Sequence, residues 1–190
     1  ITLLSDGSVV ISWMSYLQDG DNWGVYARHY DINGQALTDE FLVNQQTFDT
    51  QIGPSITSLT TGGFVVTWTS ELQDGSDASV YARIYDENSQ AISDEFIVNQ
   101  DISGRQLVGD VSSLPDGGFI ITGTVEENGC DKLLLLKTDI SGNLTWAKTI
   151  SSSFCDDIGY FVQQTTDGGY IITGDIWIGN DTKMWLIKTD

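Results

Sequence analysis

Basic side chains are scarce in this chain of 190 residues: 8 lysines and arginines stand against 27 aspartates and glutamates, a net charge of −19 at pH 7. So acidic a surface repels polyphosphate and anionic headgroups, which argues against nucleic acid as a partner and against membrane insertion. Apolar runs are short too. No stretch of about 18 apolar residues occurs, so no membrane-spanning helix is expected. Histidine is nearly absent, and His29 alone gives no general base beside a serine nucleophile. Two cysteines and one histidine are also too few for a four-ligand zinc site. His29 lies in a strand where the next repeat has Ile84, and it is expected on a strand surface. Apolar residues nowhere keep helical spacing, so essentially no helix is expected. The glycine pairs precede strands rather than helices, which excludes phosphate-cradling loops. Ile1 to Leu4 run directly into Ser5-Asp6-Gly7 without the basic and apolar parts of a secretory leader, and the sequence stops inside a repeat, as a processed product or a fragment does.

What the sequence does contain is repetition. Gly7-Ser8-Val9-Val10-Ile11-Ser12-Trp13 returns 55 residues later as Gly62-Gly63-Phe64-Val65-Val66-Thr67-Trp68. The same offset carries Val25-Tyr26-Ala27-Arg28 onto Val80-Tyr81-Ala82-Arg83 and Val43-Asn44 onto Val98-Asn99. A sister repeat with an offset of 51 carries Asp116-Gly117-Gly118-Phe119-Ile120-Ile121-Thr122-Gly123 onto Asp167-Gly168-Gly169-Tyr170-Ile171-Ile172-Thr173-Gly174. Four modules follow, at about 1–48, 49–103, 104–155 and 156–190.

Each module has short segments rich in β-branched and aromatic residues, separated by Asp-Gly, Asn-Gly or Gly-Gly turns. Module two reads as strands at Pro54–Leu59, Gly63–Ser70, Ser79–Asp86 and Glu95–Asn99. Four strands in roughly 50 residues is the arithmetic of a β-propeller blade. The predicted fold is therefore all-β, with four-stranded antiparallel sheets stacked face to face. A parallel β-helix has shorter coils, and an immunoglobulin-like sandwich takes about 100 residues per unit.

The DGGYIITG stretch at Asp167–Gly174, with Trp185-Leu186-Ile187-Lys188-Thr189-Asp190 and Gly142-Asn143-Leu144-Thr145-Trp146-Ala147-Lys148-Thr149, resembles bacterial and archaeal surface β-propeller repeats. The stretch from Gln18 to Arg28, with its weaker copy from Gln73, is similar to repeats of large secreted, calcium-associated adhesin-like proteins. Both resemblances imply an extracellular or cell-surface setting.

Candidate sites are few. Cys130 lies in the loop between the second and third strands of module three, and Cys155 in the loop leading to module four. In a propeller both loops emerge on one rim, so a disulfide is expected, worth about 3 kcal/mol in the chain-entropy account. Asp19, Asp21 and Asn22 form the densest oxygen cluster and make calcium the one cofactor considered. The competing reading is that Asp-Gly and Asp-Asn form tight turns unaided. Asn143 and Asn180 begin glycosylation sequons. Trp13 and Trp68 recur and read as blade packing, whereas Trp23 and Trp177 have no repeat partner and are the candidates for stacking on a sugar ring. No catalytic residue stands out, because no environment that would separate two carboxyl pKa values is visible in a sequence. The expectation is a non-enzymatic extracellular structural or adhesion module, part of a surface fibre, with protein or glycan partners or further copies of itself. The alternative is a carbohydrate-binding or carbohydrate-active β-propeller.

Overall fold

The computed structural model describes residues 1–75, 77–100, 103–152, 155–179 and 181–190. Among them are fifteen strands and no helix. The first sheet contains β1 (Thr2–Leu3), β2 (Val9–Tyr16), β3 (Trp23–Tyr30) and β4 (Phe41–Leu42), and the second β5 (Gln51–Ser58), β6 (Phe64–Glu71), β7 (Ala78–Tyr85) and β8 (Phe96–Ile97). The third contains β9 (Gln106–Ser113), β10 (Phe119–Glu127), β11 (Cys130–Thr138) and β12 (Leu144–Ile150), and the fourth β13 (Asp157–Gln164), β14 (Tyr170–Ile178) and β15 (Asp181–Lys188). Every sheet is an antiparallel meander in chain order.

The turns explain much of the acidity. Asp6, Asp116 and Asp167 each accept a hydrogen bond from the backbone N–H two residues on, closing the hairpin between the first two strands of their sheet. The glycine between, Gly7, Gly117 or Gly168, has φ near +90°, a conformation that side chains disfavour. Asp31, Asp86 and Asp139 each accept N–H groups two and four residues on, which shapes the turn after the third strand.

Three hydrophobic clusters lie at the three junctions between successive sheets. Val10, Val25 and Ala27 meet Phe64, Val66 and Trp68 at the first. Val65, Val80 and Ala82 meet Phe119, Ile121 and Leu136 at the second, and Ile120, Leu133 and Leu135 meet Val162, Tyr170 and Ile172 at the third. A sandwich would have one core; one core per junction is the mark of stacked blades. The fold is of the β-propeller class.

Polar ties join the end of one sheet to the start of the next. Asn44 Oδ1 accepts the Val25 N–H while its Nδ2 donates to Gln51 Oε1, and Asn99 repeats this with Val80 and Gln106. That is why Asn44 and Asn99 recur in the sequence. His29 corrects its expected place on a strand surface. It is 3% exposed, with Nε2 2.7 Å from Ser8 Oγ and Nδ1 3.0 Å from Ser89 Oγ in the second sheet. The imidazole fills a place that Ile84 fills one sheet later because both serines satisfy its nitrogens.

Candidate functional site

The first strands of the sheets pack beside one another, β5 against β9 and β9 against β13. Each carries a register irregularity at the same repeat position, where Pro54, Gly109 and Tyr160 interrupt the pairing with the second strand. Bulges re-aim the side chains that follow them. Those side chains are Ser55, Asp110 and Phe161, one from each sheet. Close approach here requires glycine. A Cβ on Gly109 would lie 2.1 Å from the Gly159 carbonyl oxygen, and one on Gly159 would lie 2.3 Å from Thr122 Oγ1.

Asp110 is held from both sides. Ser55 Oγ donates to its Oδ1 at 2.9 Å, and the Val162 N–H donates to its Oδ2 at 3.3 Å. Burial pushes its carboxyl above the ordinary aspartate range, against the opposing effects of the Ser55 hydroxyl and the Val162 and Val111 amides. Among the described residues it is the one acid shifted in that direction, whereas Asp6, Asp116, Asp139 and Asp167 are lowered by the turn and lysine contacts they serve. In the strand that supplies the Val162 amide, Tyr160 and Phe161 are half exposed. The Tyr160 phenol is pushed up by burial first, then by the charge of Asp175 and by its hydrogen bond to that carboxylate. The line thus combines a carboxyl raised above the ordinary aspartate range, a second carboxyl at Asp175, and two exposed rings. Sequence reasoning missed it. The one available signal was an acid between Leu107 and Val111 in an apolar strand.

The sequence candidates lie elsewhere. Cys130 and Cys155 form a disulfide with Cα atoms 4.9 Å apart, joining the start of β11 to the segment that precedes β13. Disulfides form and persist mainly in oxidising compartments. Trp23 stands at the mouth of the β2–β3 hairpin with its ring 5.1 Å from that of Tyr16, both exposed. Trp177, on the last sheet, is 44% exposed and donates Nε1–H to the Gly179 carbonyl. Alternation along β14 puts Trp177 on the same face as Asp175. The two tryptophans thus stand on the first and last sheets and do not share one platform.

Asp19, Asp21 and Asn22 share the β2–β3 loop. Asp21 accepts the N–H groups of Asn22 and Asp49, and Asp19 Oδ2 lies 3.4 Å from Asn44 Nδ2. Among the described residues no three His, Cys, Asp or Glu side chains gather as metal ligands would. Asn143 is exposed and its Nδ2 donates to Asp139 Oδ2, while Asn180 lies outside the described residues.

No family model matches the chain, and no curated protein matches it. Among solved structures the fold is similar to endo-arabinase from Bacteroides thetaiotaomicron VPI-5482, with a TM-score of 0.51 and 13% identity. The similarity covers 88% of this chain and 66% of that one, so the chain spans just under two thirds of the length of the enzyme. At that identity the likeness is one of fold. It corrects the expectation of a non-enzymatic module all the same, because a solved protein of similar fold is an enzyme, and the architecture supplies no argument against catalysis.

Proposed function

We propose that the chain is part of an extracellular carbohydrate-active β-propeller, with its sugar-processing residues on the line where the first strands meet. The observation that carries this reading is Asp110, a part-buried carboxyl raised by burial above the usual aspartate range and bound by the Val162 N–H of the strand that carries the exposed rings of Tyr160 and Phe161. Glycoside hydrolysis takes two carboxyl groups in different environments, one of which must deliver a proton to the leaving oxygen. Asp110 is suited to that donor role, and Asp175, tied to Tyr160, is the second carboxyl. The exposed rings present flat apolar faces to the C–H side of a sugar. The fold likeness to endo-arabinase supports the same substrate class, and the disulfide supports secretion.

The test is release of reducing ends from a panel of neutral polysaccharides that includes arabinan, read across pH for the wild type and Asp110→Asn. Hydrolysis of one member is expected, falling by about 100-fold or more in Asp110→Asn with its basic pH limb abolished. Failure to cleave any member, or full activity in Asp110→Asn, defeats the proposal.

A further inference from the structure

Ser55, Asp110 and Phe161 occupy one repeat position, the residue that follows the irregularity in the first strand of its sheet. A hydroxyl, a carboxyl and a ring all fit there, so strand formation does not require the serine. Its contacts tie it instead to the acid of the next sheet. Gly53, at a φ of +63°, and Pro54, whose ring locks its own φ, set the backbone that leads into Ser55. Thr67 Oγ1 donates to the Ser55 carbonyl at 3.4 Å. Ser55 Oγ accepts the Val111 N–H at 3.2 Å and donates to Asp110 Oδ1 at 2.9 Å. The amide can only donate, so it pins the serine oxygen and leaves the hydroxyl proton for the carboxyl.

The two oxygens of Asp110 are therefore unlike. Oδ1 receives the shorter contact, from the hydroxyl, and Oδ2 the longer one, at 3.3 Å from the Val162 N–H of the fourth sheet. In a protonated carboxyl one oxygen donates while the other keeps its capacity to accept. The stronger donor holds Oδ1 in the accepting role, and the proton falls to Oδ2. From the first sheet the Ile1 amino group favours the carboxylate, and in the fourth Asp175 is engaged with the Tyr160 phenol.

We propose that Ser55 is a positioning residue for Asp110: its hydroxyl holds Oδ1 as a hydrogen-bond acceptor, so that Oδ2, the oxygen turned to the fourth sheet, carries the exchangeable proton. The catalytic meaning of this arrangement rests on the reading of Asp110 as the proton donor, whereas the arrangement itself rests on the contacts alone.

Titration of the isotope-labelled Asp110 carboxyl by NMR, assigned with Asp110→Asn and followed in wild type, Ser55→Ala and Ser55→Thr without any sugar present, tests it. A hydroxyl that donates to the carboxylate favours the charged form. Its loss in Ser55→Ala is expected to shift the midpoint upward, and Ser55→Thr, which keeps the hydroxyl, to return it to the wild-type position. A downward shift in Ser55→Ala would mean that the serine accepts the acid's own proton, and an unchanged midpoint that the contact has no hold on the carboxyl. Either result overturns the proposal, as does an upward shift that Ser55→Thr shares in full, which would come from repacking rather than from the hydroxyl. In a hydrolysing chain the basic limb of the pH–rate profile is expected to move with the midpoint. A chain that cleaves nothing leaves the titration standing, so this proposal and the assignment of activity fail separately.

Discussion

Asp110 shows how environment rather than residue type makes a site. Six aspartates shape turns by accepting backbone N–H groups, and at Asp6, Asp116, Asp139 and Asp167 these contacts or a lysine favour the charged carboxylate. Asp110 differs because burial disfavours its charge. The direction of that shift sets a pH dependence. An aspartate in the unfolded chain titrates near ~3.9, and a folded-state value above it means that the native state binds the proton more tightly. Stability from this group is present below the unfolded value and is lost as pH rises through the folded one. Asp110→Asn is therefore expected to be at least as stable as wild type at pH 7, with a flatter stability profile as pH rises from ~4. Urea denaturation across that window reads the difference. A wild type that gains stability over this range relative to the variant would show that the charged carboxylate is the favoured form. The sequence displayed Asp110 but not this shift, because desolvation depends on Ser55 and Val162, which lie 55 and 52 residues away in the chain.

Among the elements, the first strand of each sheet was the least legible. The predicted start at Pro54 missed Gln51 to Gly53, because pairing is interrupted around Gly53 and Pro54 and apolar alternation fails there. Hairpins were legible because their turns carry their own chemistry, with an aspartate that caps and a glycine that accepts positive φ. The cysteine pairing was legible for a related reason: strand order alone puts both loops on one rim. That bond constrains the unfolded chain and ties β11 to the approach of β13. Replacing both cysteines by serine is expected to lower unfolding free energy by about 3 kcal/mol in the chain-entropy account. Chemical denaturation of the double variant against the wild type measures it, and reducing agent should lower the wild-type midpoint while leaving that of the variant fixed.

Across the whole molecule, stability is distributed over three separate junction cores rather than one. Such an array behaves as a chain of neighbour interfaces, so damage at one junction should leave the others formed. Trp68→Ala, which empties the centre of the first junction, is expected to cost about 3–5 kcal/mol. Hydrogen exchange should show protection falling in β2, β3, β6 and β7 while β10 and β14 keep theirs. Uniform loss across all four sheets would mean that the array folds as a single cooperative unit.

Sequence alone determined the strands, the turns, the module count and the face-to-face stacking. These follow from local periodicity, turn-residue chemistry and repetition, all of which act over a few residues or recur at fixed offsets. Only the tertiary structure decided which carboxyl is raised by burial and that His29 bridges two sheets. Each of these depends on groups more than 10 residues apart in the chain meeting in a low-dielectric interior, and no local pattern encodes such a meeting.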